Sequence, residues 1–332
     1  MKPRLLITLV SYKDLPLLRQ ILAPVEELMG LLPVRVLILD NADDAELAAF
    51  LQKEHPQMEL LRDPGGNIGY GPGHNALLKH AGDLPPLVMV LTSDVFIDPV
   101  QVKAMVEAME ADESLVQAGA KVHFWDLAQG VRSSTIDSLG IMAQKRHHFY
   151  DLGQGEVDRG QYDGALGKVF GVSGAIFMIR SSVFPALHGG TDQLFDERMW
   201  MYKEDIDLAY RLRWLGAKIQ IFPQVWAWHA RTLANREGGA SVVGLQASDA
   251  NKADYGRLHS YKNHILLLKN NVAWGLGFGV WRRILFYEFL KGAYLLFRHP
   301  AVFFAGLKTL MFVKGSPSAK VGPLKDLLDH FE

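Results

Sequence analysis

Across the first 230 residues, short apolar runs alternate with stretches of helical period, and that alternation confines the chain to an α/β sheet fold. The spacing predicts strands over Arg4–Val10, Val34–Leu39, Met58–Leu61 and Leu87–Leu91, with helices over Leu15–Leu31, Ala45–Glu54 and Pro99–Ala111. The second strand, VRVLIL, is apolar enough to be covered on both faces, as strands of a parallel sheet are. Gly66–Gly73 reads as a turn-rich loop entering a helix near Asn75–His80, and Lys121–Asp163 as an irregular insertion or hairpin region. Strand character returns at Val169–Ile179 and Lys218–Phe222, with a helix over Glu204–Leu215 between them.

Composition removes several classes of function. The 332-residue chain is 49% hydrophobic and 21% charged, which excludes a disordered or collagen-like polymer. It has no cysteine, so disulfides, thiolate nucleophiles, zinc–thiolate sites and iron–sulfur clusters are out. The apolar stretch before Lys13 and Asp14 reads as a first strand rather than a signal peptide. No run of about 18 uncharged apolar residues marks a membrane span, so a cytoplasmic protein is expected.

The net charge of −1 hides an asymmetry. Between Arg257 and Lys320 stand ten Lys/Arg against one acid, Glu288, a surplus of nine that leaves −10 for the remainder. The same segment is rich in aromatics, among them Trp281, Phe286, Tyr287, Phe289, Phe297, Phe304 and Phe312. Basic residues interleaved with large apolar ones in helix-length blocks suit the surface of an anionic bilayer, although a basic helical tail packed on a core gives the same pattern. No nucleic-acid motif accompanies the charge, so no nucleic-acid partner is expected.

Three acids take up informative positions. Asp40 ends the second strand and Asp94 follows the fourth, the place where open parallel sheets bind ligands. Both also suit ordinary Asx turns. In FDERMWMYKEDIDLAYRLRWLG, Asp205 lies three residues before Leu208 on the stripe Leu208, Leu212, Leu215, so it is expected to face inward rather than to water. Asp207 and Arg211 are expected to pair on the surface. His229 follows VWAW at an element end, and with Asp94 it makes an oxygen/nitrogen ligand pair for Mg²⁺ or Mn²⁺.

The glycine-rich stretch Asn67–Asn75 lacks the spacing of a dinucleotide fingerprint and follows the third strand, not the first. There is no Gly-Lys-Ser/Thr of a P-loop, and GVSGA misses the Gly-x-Ser-x-Gly elbow at its last position. What remains is a loop whose glycines let backbone approach a ligand, with Asn75 opening a helix.

Taken in order, LVSYKD, LDNADD, NIGYGPGHNALL, LTSDVFIDP, GVSGAIFMIRSSVF, FDERMWMYKEDIDLAYRLRWLGAKIQIFP and WHA resemble glycosyltransferase family 2, inverting enzymes of GT-A fold, most nearly the rhamnosyltransferase-like branch. The resemblance covers residues 4–230 and implies a GT-A domain over 1–256, a Rossmann-like, mostly parallel sheet flanked by helices. A basic amphipathic, membrane-associating helical region over 257–332 would follow. It implies a nucleotide-sugar donor (dTDP- or UDP-linked) contacted by Ser11, Tyr12, Asp40, Asn67, Gly71, Asn75, Ser93 and Asp94. It implies Asp205 as catalytic base, and an acceptor pocket of Glu197, Trp200, Tyr202 and Glu204. Asp94 and His229 would hold Mg²⁺ or Mn²⁺. Thr92-Ser93-Asp94 is a single-acid version of the family's metal motif, and Thr191–Leu194 is inserted before the FDE block. The polar stretch Arg231–Asp254 would form a lid, with Arg231 or Arg236 on the diphosphate.

The expected activity is inverting transfer of a sugar such as rhamnose to a surface glycan or a polyprenyl-diphosphate-linked saccharide. The setting would be peripheral, on the inner face of the cell membrane, and a homo-oligomer is compatible with it. The alternative is a non-catalytic membrane-associated GT-A module that binds a sugar nucleotide or a partner. A nucleotidyltransferase is disfavoured, because SYKDLP lacks that class's glycine-rich loop.

Overall fold

The leading apolar runs lie side by side as parallel strands in the computed structural model, which describes residues 2–62, 65–127, 129–187, 193–231, 254–272, 276–315, 327 and 329–331. These strands are β1 (Leu5–Ser11), β2 (Val34–Asp40), β3 (Glu59–Arg62) and β4 (Leu87–Thr92). Beyond β4 the sheet turns mixed, with order β3-β2-β1-β4-β10-β6-β11-β5 and β7 paired to β6. The added strands are β5 (Val95–Ile97), β6 (Leu115–Asp126), β7 (Val131–Ser138), β10 (Ile176–Arg180) and β11 (Lys218–His229). A separate ribbon pairs β8 (Ile141–Ala143) with β9 (Phe149–Asp151).

Helices cover both faces. On one, α1 (Leu15–Leu31) buries Leu15, Leu18, Ile21, Leu22, Val25 and Leu28, an apolar stripe of helical period. Beside it lie α2 (Ala45–Glu54) and α4 (Pro99–Ala111), whose first turns are capped by the Asp44 and Asp98 carboxylates. The other face carries α3 (Tyr70–Ala81), the single turn α5 (Phe184–Leu187) and α6 (Glu204–Trp214). Three further helices follow: α7 (Asp254–Asn271), α8 (Phe278–Arg298) and α9 (Pro300–Phe312). The helix α7 runs through position 256, and its Leu266 and Leu267 share a buried cluster with Met199, Ile206 and Tyr210. Among the described residues, no helix is long and apolar enough to cross a membrane.

Five local expectations are corrected. The helix predicted near Asn75 begins at Tyr70 and contains Gly71, Pro72 and Gly73. A Cβ on Gly73 would come within 2.8 Å of Val10, so glycine lets this turn sit on the sheet, and proline is tolerated in a first turn. The region Lys121–Asp163 holds the second half of β6 together with β7, β8 and β9. Strand structure at Val169–Ile179 starts only at Ile176, and Lys218–Phe222 continues unbroken to His229. Asp207 and Arg211 do pair, at 2.8 Å, but in the interior, where Asn271 of α7 also donates to Asp207. Arg236 and the proposed lid lie outside the described residues, as do positions 191 and 192 of the insertion.

Candidate active site

The turn between β4 and β5 presents Asp94, and the pairing of β11 with β5 sets His229 opposite Val95. That register brings His229 Nε2 to 3.2 Å from Asp94 Oδ1. The other ring nitrogen lies 2.8 Å from the carboxylate of Asp137, a wholly buried residue of β7. Arg231 donates to the second oxygen of Asp137 and reaches Asp151 of β9 at 3.4 Å. Thus Arg231, one of the two expected diphosphate ligands, is engaged by Asp137 and Asp151 in this structure. Burial disfavours the imidazolium, but Asp94 and Asp137 outweigh it and raise His229 to about 9.

Asp205 joins this region through the Gly174–Ala175 segment. It sits in the first turn of α6, after Tyr202 and Lys203, both held in the left-handed region (φ 68° and 75°). Non-glycine residues in that conformation carry local strain, which persists only where surroundings impose it. Here Asn263 of α7 donates to the carbonyls of Met201 and Tyr202, both at 2.8 Å. The Asp205 carboxylate is half-buried rather than fully inward. Its oxygens accept from the backbone N–H of Gly174 at 3.1 Å and of Ile206 at 2.8 Å. Gly174 also accepts from the Tyr70 hydroxyl, and the adjoining Ala175 carbonyl accepts from Thr92 N. Tyr70 therefore stands among three acids: burial first, then the charges of Glu204, Asp205 and Asp94, raise its hydroxyl well above the ordinary range.

The remaining expected residues divide into two groups. Ser11 is buried and donates to Asp14, which also hydrogen-bonds Ser93, so the first loop and the Ser93-Asp94 turn are tied together. Tyr12 is exposed beside them. Asn67 accepts from Asn41 at 2.8 Å, and its carbonyl receives the Trp200 indole N–H at 3.4 Å. The Tyr202 ring packs close to Gly256 of α7. Asp40, by contrast, is buried at the end of β2, and its oxygens accept from Ala42 N and Asp44 N within its own turn. Asn75 spends its amide on the backbone of Leu194 and Phe195, and Gly71 lies against Phe195 and the Met199 carbonyl. Both dock α3 on the loop ahead of α6. Glu197 is exposed on that loop.

Asp94 and His229 suit a divalent cation on chemical grounds. Adjacent corners of an octahedron with bonds of about 2.1 Å are roughly 3.0 Å apart, close to the observed separation. Asp137 on the far nitrogen supplies the outer carboxylate that ligating histidines commonly have. Among the described residues no cluster of three or more such ligands occurs, so further ligands would come from substrate and water.

A family model for "Glycosyl transferase family 2" matches residues 7–185, more than half of the chain. The chain belongs to glycosyl transferase family 2. It is 26% identical over 216 residues to the N-acetylglucosaminyl-diphospho-decaprenol L-rhamnosyltransferase of Mycobacterium tuberculosis strain H37Rv, covering 61% of this chain and 68% of that one. Solved structures of similar fold include Staphylococcus aureus TarS 1–349 (TM-score 0.55, 10% identity, 92% of this chain and 80% of that chain). Another is the Pyrobaculum calidifontis mannosyltransferase PcManGT with GDP-Man and Mn²⁺ (TM-score 0.50, 14% identity, 98% and 78%). A third is GalNAc-T7 with UDP, GalNAc and Mn²⁺ (TM-score 0.57, 12% identity, 80% and 47%). These establish the expected GT-A fold and a glycosyltransferase.

Sequence reasoning overlooked two acids of this transferase. Asp14 closes the LVSYKD block but was assigned no role there. Asp137 lies in the stretch read as irregular, where only the strand pairing reveals its inward aim. Glu204 was expected to line the acceptor pocket. It is buried, and one carboxylate oxygen has no hydrogen-bond partner. Burial first, then the charge of Asp205, raise it to about 8 from an ordinary 4.5, so it is neutral at pH 7. The folded state holds a proton that the unfolded chain releases, hence this contribution is full below pH 4.5 and is lost as pH rises through about 8. Glu204→Gln should therefore lose less Tm than wild type over that interval, measured by thermal unfolding. Parallel curves for the two proteins would show that Glu204 is already ionised.

Proposed function

We propose that this family 2 transferase moves a sugar, with inversion, from a nucleoside-diphosphate donor to a hydroxyl of a lipid-linked saccharide. The observation that carries the reading is the hydrogen-bond chain that links Asp205 through Gly174 to Tyr70, with the adjoining Ala175 carbonyl bonded to Thr92, two residues before Asp94 and its partner His229. An acceptor hydroxyl is a poor nucleophile until its proton is removed. Asp205 would take that proton as the oxygen bonds to the anomeric carbon. The bond from that carbon to the diphosphate oxygen breaks on the opposite face, and the nucleoside diphosphate leaves with the electron pair. Ser11, Tyr12 and Asn67 would border the nucleotide, and Trp200 and Tyr202 the acceptor. Asp94 and His229 would hold Mg²⁺ or Mn²⁺, which when bound supplies positive charge to the departing diphosphate.

The M. tuberculosis relative acts as a rhamnosyltransferase on N-acetylglucosaminyl-diphospho-decaprenol by its name, which supports dTDP-rhamnose and a polyprenyl-diphosphate acceptor here. Such an acceptor would put the reaction at the cytoplasmic face of the membrane, where a peripheral enzyme would meet it. The test is a thermal-shift screen of dTDP-rhamnose, UDP-sugars and GDP-mannose, with and without Mn²⁺, followed by transfer to a prenyl-diphosphate-linked N-acetylglucosamine. A ligand at about 100 times its Kd stabilises by about 2.7 kcal/mol, enough to see. dTDP-rhamnose should give the largest shift, and a larger one with Mn²⁺. A chain that no nucleotide sugar stabilises would not be this enzyme.

A further inference from the structure

Helix α8 carries large apolar residues on its solvent side as well as on its packed side. Its outward face carries Leu285, Phe286, Phe289 and Phe297, with Phe286 at 63%, Phe289 at 71% and Phe297 at 84% exposure. Its inward face carries Ile284, Tyr287, Glu288, Gly292 and Leu295. Glu288 is turned from solvent and lies 2.7 Å from His264 of α7. The outward residues follow one another at spacings of one, three and eight, which keeps them within about a third of the helix circumference, so they form one stripe along the helix. Helix α9 extends it with Phe304, Met311 and Phe312, all exposed. Single exposed apolar residues are ordinary, but a contiguous patch of this kind marks an interaction surface.

Charge identifies the partner. Arg282, Arg283, Arg298 and Lys308 are exposed on the same two helices, and Glu288, the one acid between Arg257 and Lys320, is paired inward. A groove of about 340 Å³ at the edge of the patch combines Arg146 and Arg283 with Phe286, Tyr287 and Leu290. Cationic side chains beside an apolar floor match a phosphate headgroup above its acyl chain. We propose that α8 and α9 form a docking face that lies on an anionic phospholipid bilayer, with Leu285, Phe286, Phe289 and Phe304 entering the headgroup–acyl boundary and the arginines on lipid phosphates. This deepens the peripheral placement proposed above by naming its surface. Helix α7 joins the two functions: it packs on α8 and α9 through Tyr261 and His264 and holds Met201 and Tyr202 through Asn263.

The experiment is co-sedimentation of the full chain with vesicles, either of phosphatidylcholine alone or of an equal mixture with phosphatidylglycerol. Wild type should partition at least about tenfold more strongly onto the mixed vesicles, and less as salt is raised. Arg282→Glu/Arg283→Glu and, separately, Phe286→Ser/Phe289→Ser should each lower that partitioning at least about tenfold. Both doubles alter exposed side chains, so their thermal shift with nucleotide sugar and their transfer to a short-chain soluble acceptor should match wild type. Equal partitioning onto both vesicle types, or variants that bind like wild type, would overturn the proposal. So would a wild-type dimer that the variants dissociate without any vesicle binding, since a second copy would then be the occupant. Vesicle binding in a chain that no nucleotide sugar stabilises would instead remove the transfer reaction and leave the docking face standing.

Discussion

Replacing Asp205 with Asn should reduce kcat by about 10²- to 10⁴-fold, the usual contribution of a positioned general base, while nucleotide-sugar binding persists. The carboxylate is aimed by two backbone donors, Gly174 N and Ile206 N, and it lies beside a buried Glu204 that is neutral at pH 7. Asn keeps the shape but accepts through one oxygen, so it cannot satisfy both donors as Asp205 does. A local cost of about 1–3 kcal/mol follows from the donor left over, and circular dichroism and donor thermal shift control for it. The measurement is single-turnover transfer alongside donor Kd. A large fall in rate with unchanged Kd is the expected split. Unaltered transfer would assign the proton to another base, and an inactive wild type with tight donor binding would favour a non-catalytic module.

The second large effect is expected at Asp137. Wholly buried, it faces His229 with one oxygen and Arg231 with the other. Burial works against its charge, yet these two cations prevail and hold it below the ordinary carboxylate range. Asp137→Ala would leave two buried positive groups facing each other, a change worth about 3–5 kcal/mol. For a chain of this size that is a fall in Tm on the order of 10 °C. The pH dependence offers a second reading. In the metal-free protein, with His229 raised to about 9 from an ordinary 6.5, its contribution is full below 6.5 and lost as pH climbs through about 9. Without Asp137 the alkaline loss should start at the same pH but end at a lower one, and be smaller. A variant as stable as wild type, with the same alkaline limb, would mean that Asp137 does not carry the charge assigned to it. Mn²⁺ affinity, followed by electron paramagnetic resonance, should fall by about 10- to 100-fold, as it does when a ligating histidine loses its outer carboxylate.

The parallel half of the sheet was legible because local signals agreed: branched apolar runs, capping aspartates at 44 and 98, and the stripe of α1 all point one way. Strand β6 was not anticipated at all, and in its second half Lys121 and His123 break the apolar pattern. Both are buried, and both are partnered by Asp158, more than 30 residues away, which no local window shows. The early start of α3 was hidden for a related reason. Gly71-Pro72-Gly73 opposes a helix by propensity, while the close approach to Val10 and Phe195 that requires small residues is tertiary. At the site, Asp94 and His229 were found together because both end strands, and element ends are where a sheet displays ligands. Asp14 and Asp137 were missed because each acts through a neighbour: Ser11 and Ser93 for the one, His229 and Arg231 for the other.

The contact between Gly69 and Trp200 has a consequence for anyone redesigning this enzyme. Gly69 has φ +95°, and a Cβ there would fall 2.4 Å from the Trp200 carbonyl, while Tyr70 N donates to that same oxygen. The segment proposed to border the nucleotide and the segment proposed to receive the incoming sugar chain are thus clamped backbone to backbone. Transplanting the 67–73 stretch from a relative to alter which sugar is transferred will drag the Trp200 bend with it. The two specificities form one inheritable block, and a graft that respects this should carry both stretches at once.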